Sequence, residues 1–320
     1  MMGERSVGCS LSVVIPAFNE ELDILALHES LMNVLRMLGS DYEIVFVDDG
    51  STDDTFNLLR LVRQGDARVK ILKLRKNFGQ SVALTAGFRH ATGRTIVTMD
   101  ADLQNDPADI PALLGKLKEG YDVVAGHRWR RKDSYLSKRF PSLVSNWLAR
   151  RLTGVNIHDF GCTLRAYRRQ AIENIQLYGE GHRFFLPLIA MQGYRIAEVK
   201  VNHRPRKHGK SKYGPGRLVR GLLDLLFVKF WLSYSTRPLH LFGVWALSLM
   251  LGGAAVLAYK LLQLAFLAVP LTVGPLLLLS ALLELVGIQL LLLGFLGEVL
   301  TRILFAGKAH VDELVEQVLA

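Results

Sequence analysis

Two long apolar runs near the C-terminal end constrain the fold more than any other feature of the sequence. Leu239–Tyr259 and Leu276–Leu296 are nearly free of charged side chains. Each is as long as the roughly 20 residues that a helix needs to cross the hydrocarbon of a bilayer. A buried helical hairpin in a soluble protein is the alternative, and the length and composition of the runs disfavour it. The sequence therefore predicts two transmembrane helices, at about residues 239–260 and 275–297.

Basic residues around these runs predict the orientation of the chain in the membrane. Lysines and arginines are frequent before the first run and return after the second as Arg302 and Lys308, whereas the connection holds little beyond Lys260. Positive charge stays on the cytoplasmic side. We therefore expect an integral protein of the cytoplasmic membrane with both termini and the catalytic domain in the cytoplasm. Glu284 and Gln289 within the second run should face protein rather than lipid.

The first 215 residues show a different pattern, in which short β-branched runs alternate with amphipathic stretches. The predicted strands are Leu11–Ile15, Tyr42–Val47, Val69–Leu74, Ile96–Met99 and Tyr121–Ala125. The predicted helices cover about residues 22–38, 54–64, 80–90 and 107–119. Strands and helices that alternate in this way form right-handed βαβ units with a mostly parallel sheet. We predict an α/β domain over residues 1–215, an interfacial helix over 216–236, the membrane helices within 237–303 and a cytoplasmic tail over 304–320.

Polar residues follow three of the predicted strands at the point where each strand ends. These residues are Asn19 and Glu20, Asp48 and Asp49, and Asp100 and Asp102. Ligands of parallel α/β sheets bind at the carboxyl ends of the strands. The chain has no Gly-x-Gly-x-x-Gly after its first strand and no complete Gly-x-x-x-x-Gly-Lys-Ser/Thr loop, which disfavours a dinucleotide dehydrogenase and a P-loop nucleotidase. The clusters therefore predict a ligand site of another kind.

The segment TIVTMDADLQNDP predicts a metal site. Asp100 and Asp102 are one residue apart at the end of a strand, where residues i and i+2 face the same way, and Gln104 adds a neutral oxygen. Oxygen ligands suit Mg²⁺ or Mn²⁺, which commonly share substrate phosphates. An Asp-rich surface turn is the alternative. We interpret the segment as a site for a metal that binds a diphosphate.

Net charge and cysteine content indicate which classes of partner, and which redox compartment, the protein is suited to. The formal net charge is +10 and the pI about 9.7, which is typical of proteins that bind nucleic acid, anionic lipid or phosphate. The basic clusters match no nucleic-acid module, so no nucleic-acid partner is expected. Cys9 and Cys162 are isolated, which fits a reducing compartment without a disulfide framework. The N-terminus lacks the apolar region of a signal peptide.

The motifs VVIPAFNE, VDDGSTDDT, NFGQSVALTAGF and MDADLQNDP, in this order and spacing, resemble those of family-two glycosyltransferases with the GT-A fold. GHRWRRKDS, DFGCTLRAYRR and HGKSKYG, followed by paired apolar segments, resemble the polyprenyl-phosphate glycosyltransferases, of the dolichyl-phosphate mannose synthase and undecaprenyl-phosphate glycosyltransferase type. The resemblance covers nearly the whole chain. It implies a GT-A fold, a Rossmann-like domain with a mostly parallel sheet, followed by membrane helices.

The resemblance also implies roles for individual residues. The nucleotide-binding residues would be Pro16, Ala17, Asn19, Glu20, Ala101 and either Asp48 or Asp49 at the base or ribose. The metal ligands would be Asp100, Asp102 and Gln104. The catalytic residues would be Asp102, Asp159 and Arg128. Helix-start and turn chemistry is the alternative role for the polar residues after the first two strands and for Asp159.

Two basic segments would contact phosphate. Residues 126–139 carry Arg128 and Arg139, which the resemblance matches to phosphate-binding arginines. Residues 203–213 carry Arg206, Lys210 and Lys212, which could hold the diphosphate or a lipid phosphate. A solvated basic loop and a juxtamembrane segment that touches lipid headgroups are the respective alternatives.

Together these observations predict an inverting, metal-dependent glycosyltransferase. It would move a sugar from a UDP- or GDP-sugar to undecaprenyl or dolichyl phosphate at the cytoplasmic face of the membrane, with Mg²⁺ or Mn²⁺ as cofactor. A family-two transferase acting on a hydroxyl of a polysaccharide or glycolipid, and a catalytically silent nucleotide-sugar sensor, are the alternatives. The resemblance alone suggests a homo-oligomer, a tetramer.

Overall fold

The computed structural model describes residues 9–39, 41–129, 146–147, 150–151, 153–173, 185–204, 230, 234, 237–267 and 273–306, with side chains described as far as 301. The chain divides into two compact units, Met1–Val228 and Lys229–Ala320. The first unit holds an α/β sheet and the second a helical hairpin.

The sheet of the first unit has the order β3-β2-β1-β4-β6-β5-β7. Its strands are β1 Leu11–Ala17, β2 Tyr42–Asp48, β3 Val69–Lys73, β4 Thr95–Thr98, β5 Val123–Arg128, β6 Arg165–Arg168 and β7 Ile196–Val201. All pairs are parallel except those of β6, which runs antiparallel to both β4 and β5. The predicted mostly parallel sheet is confirmed, and each of the five predicted strands is present with its ends within three residues of the prediction.

Helices follow the first four strands and pack on the sheet. They are α1 Ile24–Met37, α2 Thr55–Gly65, α3 Gln80–His90 and α4 Ile110–Lys118, the last preceded by a 3-10 turn at Pro107–Asp109. Apolar side chains at helical spacing on α1, among them Leu27, Leu31 and Leu35, are fully buried. Such a stripe facing the sheet stabilises the helix mainly through tertiary packing. A shorter helix, α5, covers Phe185–Met191.

Gly87 of α3 allows this helix to lie unusually close to the sheet. A Cβ at this position would come within 2.3 Å of a methyl carbon of Val14 in β1. Since real Cβ atoms do not approach that closely, any larger residue would push α3 away from the strand. This close packing fixes the start of α3, where Gln80 lies, relative to the end of β1.

The sequence pattern did not predict β6, and the structure shows why. Arg165–Arg168 reads as a basic segment, yet Arg165 is buried. Its guanidinium donates to the carbonyl oxygens of Cys162 and Phe160 at 2.7 and 2.6 Å. Hydrogen bonds of this kind allow a charged group to be buried inside a sheet. The strand β7 at the edge was also not predicted, because Glu198 and Lys200 interrupt its apolar residues.

The second unit contains α6 Pro238–Leu267 and α7 Pro275–Ala306. Both are apolar enough and long enough to cross a membrane, with mean hydropathies of 2.0 and 2.5 over an 18-residue window within the candidate spans Pro238–Leu267 and Pro275–Thr301. They are longer than the predicted runs because apolar residues continue to the helix ends. Apart from Phe230 and Tyr234, the predicted interfacial helix lies outside the described residues, as does the tail from residue 307.

Small residues form the contact between α6 and α7. The Ser280 hydroxyl donates to the carbonyl oxygen of Gly253 at 2.9 Å, and a Cβ on Gly287 would come within 2.5 Å of Met250. Close approach at glycine and serine is typical of helices that associate in membranes. Glu284 faces Gly253, with its Oε1 3.0 Å from where a Cβ would lie, as predicted. Gln289 is exposed on the hairpin instead, because two helical residues beyond Gly287 the side chain points away from α6.

Candidate active site

The acidic segment after β4 lies in the centre of the sheet, between the ends of β1 and β6. The two oxygens of Asp100 accept hydrogen bonds from Gln80 Nε2 and from the Thr163 hydroxyl, both at 2.7 Å. Asp102 is 5% exposed, and its Oδ1 accepts from the backbone N–H of Gln104 at 3.1 Å. Leu103 between them has a φ of 59°. This left-handed residue turns the chain back, so that the Gln104 amide reaches Asp102.

Gln80 and Thr163 are residues of this site that the sequence reasoning missed. Both lie in motifs that carry the resemblance, NFGQ and DFGCT, but neither type is a common metal ligand. The Thr163 hydroxyl also accepts from Asn105 Nδ2 at 3.0 Å, and its carbonyl oxygen accepts from Thr98 at 2.7 Å. Thr163 therefore connects the acidic segment to the chain that enters β6.

The segments after β1 and β2 bind each other. The Asn19 side chain accepts from the backbone N–H of Thr52 at 2.8 Å, and the Asn19 backbone donates to the Ser51 hydroxyl at 3.0 Å. The N–H of Glu20 donates to the Thr55 hydroxyl at 2.9 Å. Asn19 has a φ of 52°, which asparagine tolerates better than most residues. These hydrogen bonds form one joined surface beyond the strand ends, next to Pro16 and Ala17 at the end of β1.

Asp48 and Asp49 have different environments. Both oxygens of Asp49 accept backbone hydrogen bonds at the start of α3, from Phe78 at 2.8 Å and Gly79 at 2.9 Å. Burial raises the pKa of Asp49, and the two amide donors offset this only in part. Asp48 accepts from the N–H of Ser51 through Oδ1 at 3.0 Å, whereas its buried Oδ2 has no hydrogen-bond partner within the described residues.

Arg128 and Asp159 form a buried ion pair. Arg128 ends β5, and its Nε and Nη2 donate to the two carboxylate oxygens of Asp159 at 2.7 and 2.8 Å. The side chains are 16% and 5% exposed. Burial alone would lower the pKa of Arg128, but the hydrogen bonds and charge of Asp159 outweigh it and raise that pKa above its ordinary value. A Cβ on Gly161 would come within 2.9 Å of Arg128 Nη2, so glycine keeps room for the guanidinium.

Glu198 of β7 holds the backbone on which Asp159 lies, and sequence reasoning missed this role. Its Oε1 accepts from the N–H groups of His158 at 2.7 Å and Asp159 at 3.1 Å. Its Oε2 lies 2.8 Å from His158 Nδ1. The sequence signal is a glutamate that alternates with apolar residues and Lys200 in a short strand, which by itself predicts no partner.

The start of the basic segment 203–213 is held beside the acidic segment. The N–H of Arg204 donates to the carbonyl oxygen of Gln104 at 2.9 Å, and the Arg204 guanidinium pairs with Asp106. An isolated bridge also joins Asn105 to His203. Of the predicted phosphate-binding residues, Arg128 is described, whereas Arg139, Arg206 and Lys212 lie outside the described residues.

Comparison with known proteins identifies the class of this chain. Residues 12–176 match the model of glycosyl transferase family 2. The chain is 40% identical over 316 residues to the dodecaprenyl-phosphate galacturonate synthase of Rhizobium johnstonii, covering 96% of this chain and 92% of the relative. It is 39% identical over 317 residues to the undecaprenyl-phosphate 4-deoxy-4-formamido-L-arabinose transferase of Pseudomonas paraeruginosa, covering 96% and 90%.

A solved structure supports the fold. Glucosyl-3-phosphoglycerate synthase from Mycobacterium tuberculosis, in complex with Mn²⁺, UDP and glucosyl-3-phosphoglycerate, aligns with a TM-score of 0.55 and 22% identity. The alignment covers 69% of this chain and 80% of that one. The sheet is that of a GT-A fold. The chain belongs to glycosyl transferase family 2 and is a glycosyltransferase, as predicted from its motifs.

Proposed function

We propose that this enzyme transfers a sugar, with inversion, from a UDP- or GDP-sugar to a polyprenyl phosphate such as undecaprenyl or dolichyl phosphate at the cytoplasmic face of the membrane. The contact of the acidic segment with the start of the basic segment, through Gln104 and Arg204 at 2.9 Å, carries the proposal. It supports a site where a donor diphosphate and an acceptor phosphate lie side by side. The names of the two bacterial relatives support the same acceptor class.

The donor set of the acidic segment fits Mg²⁺ or Mn²⁺. Asp100, Asp102 and Gln104 would hold the ion, since hard divalent cations take carboxylate and amide oxygens. The hydrogen bonds from Gln80 and Thr163 orient the Asp100 carboxylate, as outer partners of a metal ligand do. When bound, the ion would neutralise charge on the leaving nucleoside diphosphate.

Within the nucleotide site, Asp48 is the better candidate for a direct contact. Both oxygens of Asp49 already accept backbone hydrogen bonds, whereas Oδ2 of Asp48 is a buried acceptor with no partner within the described residues. A buried acceptor left without a donor is costly, and a donor group on the base or ribose would remove that cost. Pro16, Ala17, Asn19, Glu20 and Ala101 complete the proposed nucleotide surface.

The Arg128–Asp159 pair supports a phosphate acceptor. A hydroxyl acceptor must lose a proton as it attacks, which calls for a positioned base. A phosphate monoester has its second pKa near 6 and is largely dianionic at neutral pH. The Asp159 carboxylate makes charged hydrogen bonds to Arg128 at 2.7 and 2.8 Å, which favours an orienting role. This supports a phosphate acceptor over the hydroxyl acceptor of the alternative function.

The decisive experiment uses the full chain in detergent with undecaprenyl phosphate and a panel of nucleotide sugars, with mass spectrometry of the lipid product. We expect one product, in which a single monosaccharide is joined to the phosphate of undecaprenyl phosphate. Asp102→Asn should reduce its formation by roughly 100-fold or more, while Glu119→Gln, an exposed carboxylate paired with Lys116, should leave it unchanged.

Metal removal is the second arm of the experiment. EDTA should abolish transfer, and Mg²⁺ or Mn²⁺ should restore it. Full activity in a rigorously metal-free preparation would contradict the proposed ion. Glycosylation of a hydroxyl acceptor in place of the lipid phosphate would contradict the proposed acceptor, and nucleotide-sugar binding without any transfer would favour a sensor.

A further inference from the structure

A second group of potential metal ligands lies apart from the acidic segment. His127 of β5, His158 in the segment before β6 and Glu198 of β7 each offer a ligand atom, and these atoms all lie within 4.8 Å of one another. The parallel register pairs Ala125 with Glu198 and His127 with Lys200. Because residues i and i+2 share a face of a strand, His127 and Glu198 lie on the same face of the sheet.

Glu198 is already oriented as a ligand would need to be. Two backbone N–H groups hold its Oε1, at 2.7 and 3.1 Å. Its Oε2 therefore faces His158, whose Nδ1 is 2.8 Å away. That separation is a hydrogen bond, shorter than the roughly 3.3–3.6 Å between two ligands of a tetrahedral ion with bonds of about 2.0–2.2 Å. The carboxylate and the His158 ring thus present two neighbouring ligand atoms that would need to move apart by only roughly 0.5–0.8 Å to bind one ion in place of their shared proton.

The two imidazole rings stack, with centroids 5.3 Å apart and planes inclined by 9°. A nitrogen lone pair lies in the plane of its ring, so one ring must rotate for both to reach one ion. His158 has room for this rotation, since its side chain is 55% exposed. The nearby cation on this face, Lys200, has its ammonium over the Trp129 ring at 3.9 Å, where the aromatic face stabilises it.

We propose that His127, His158 and Glu198 form a binding site for a borderline-soft divalent ion such as Zn²⁺ or Co²⁺, separate from the oxygen site of Asp100 and Asp102. Two imidazoles and one carboxylate are a donor set that zinc and cobalt accept readily and that Mg²⁺ does not favour. The ion would cross-link β5, the segment before β6 and β7. Those same elements carry Arg128, Asp159 and the glutamate that holds the Asp159 backbone.

The test is a titration of the full chain in detergent with Zn²⁺, at saturating Mg²⁺, followed by calorimetry. His127→Phe keeps an aromatic ring for stacking on His158 and removes the ligand nitrogen. His90→Ala, which removes an exposed histidine at the end of α3, is the matched control. Wild type and His90→Ala should bind Zn²⁺ at least tenfold more tightly than His127→Phe. Co²⁺ should give an absorption spectrum with wild type and with His90→Ala, and this spectrum should be absent with His127→Phe.

Glu198→Gln supplies a second, independent arm. Its amide oxygen can still accept from the two backbone N–H groups, but the anionic ligand is gone. Zn²⁺ should raise the unfolding temperature of wild type by mass action and leave that of Glu198→Gln and His127→Phe unchanged. Equal Zn²⁺ affinity and equal thermal shifts in wild type and both variants would show that the ion binds elsewhere and would overturn the proposal.

Discussion

At the scale of single residues, the buried pair of Arg128 and Asp159 decides how much chemistry Asp159 can perform. Its oxygens accept from the arginine, and Oδ1 also accepts from the N–H of Gly161 at 3.1 Å. Charge-assisted hydrogen bonds of this type are about twice as strong as neutral ones. Protonation of Asp159 during turnover would have to break them. The pair therefore suits a group that orients a substrate rather than one that takes up a proton.

We predict that Asp159→Asn lowers kcat by less than the roughly 100-fold that loss of a general base typically costs, and by less than Asp102→Asn does. The pH–rate profile should keep its shape, rising through the second ionisation of the acceptor phosphate near pH 6. Steady-state kinetics across pH measures both quantities. Loss of an ionisation, with rescue by a small added base, would identify Asp159 as a general base.

A folding control accompanies this prediction. Asp159→Asn leaves Arg128 without its charged partner, and breaking a buried ion pair can cost about 3–5 kcal/mol. The unfolding temperature of the variant is measured alongside its kinetics, and the double variant Arg128→Gln, Asp159→Asn removes both charges together. If the double variant regains the stability that Asp159→Asn loses, the loss came from the unpaired charge.

At the scale of elements, Asp100 depends on two segments distant in the chain. The start of α3 supplies Gln80 and the chain entering β6 supplies Thr163, both at 2.7 Å. The carboxylate is thus held from two sides before an ion binds. Outer hydrogen bonds to a ligating carboxylate usually change metal affinity by 10- to 100-fold. The chain that enters β6 would therefore contribute to the proposed metal site, although Thr163 itself would not bind the ion.

We predict that Thr163→Val raises the Mg²⁺ or Mn²⁺ concentration needed for half-maximal activity by about 10- to 100-fold, with kcat at saturating metal close to that of wild type. Activity measured against metal concentration tests this. Thr85→Val, which removes a hydroxyl bonded only to the Ser81 carbonyl of α3 among the hydrogen bonds described, is the control. An unchanged metal requirement in Thr163→Val would contradict the role assigned to this hydrogen bond.

The buried carboxylate of Glu43 joins β2 to the neighbouring elements. Burial alone would raise its pKa, but Lys70 and the donors of Ser12 and Thr92 lower it from 4.5 to about 2. Because the folded-state pKa lies below the unfolded one, the stabilisation is complete above about pH 4.5 and is lost as the pH falls through about 2. A shift of this size corresponds to about 3 kcal/mol.

We therefore predict that Glu43→Gln unfolds more easily than wild type at pH 7, and that the difference shrinks as the pH falls from about 4.5 to 2. Unfolding of the solubilised full chain, followed at several pH values, measures this. Glu119→Gln, which alters only a partly exposed pair with Lys116, should show little difference at any pH. A Glu43→Gln deficit that stays constant down to pH 2 would contradict the assignment.

At the scale of the whole molecule, the α/β unit and the helical hairpin are different kinds of structure. The sheet core is buried almost completely, whereas only 11% of the 18-residue apolar window in each candidate membrane span is buried within the protein. Apolar side chains exposed at this density are stable in lipid and costly in water. The hairpin therefore supports the predicted membrane anchor, with the basic residues that flank it predicting its direction.

We predict that a cysteine at Val273, 79% exposed between α6 and α7, reacts with an impermeant maleimide from the non-cytoplasmic side of intact cells. A cysteine at Met37, 80% exposed at the end of α1, should react only after permeabilisation. The background carries Cys9→Ser, while Cys162 stays because burial raises the pKa of its thiol to about 12. The reverse labelling pattern would overturn the cytoplasmic location of the active site.

The sequence by itself was sufficient for the elements whose local pattern is strongest. The β-branched runs predicted five strands, the long apolar runs predicted both hairpin helices, and the order of the motifs predicted the family. The predictions of strands and membrane helices are correct because each such element is recognised from its own side chains. The acidic residues after β1, β2 and β4 could be placed at one edge of the sheet for the same reason, since parallel strands end together.

Only the tertiary structure decided which polar groups meet. The fold brings Arg128 to Asp159, which is 31 residues further along the chain, and places Gln80 and Thr163 where they donate hydrogen bonds to Asp100. It also places Asp49 where it accepts a hydrogen bond at the start of α3. It also buried the basic strand β6, whose arginine donates to carbonyls of its own loop. No periodicity reports such contacts, because they depend on how strands distant in the chain are ordered in the sheet. The local pattern predicts which apolar residues are buried, and the fold alone determines what they contact and which charged residues are buried with them.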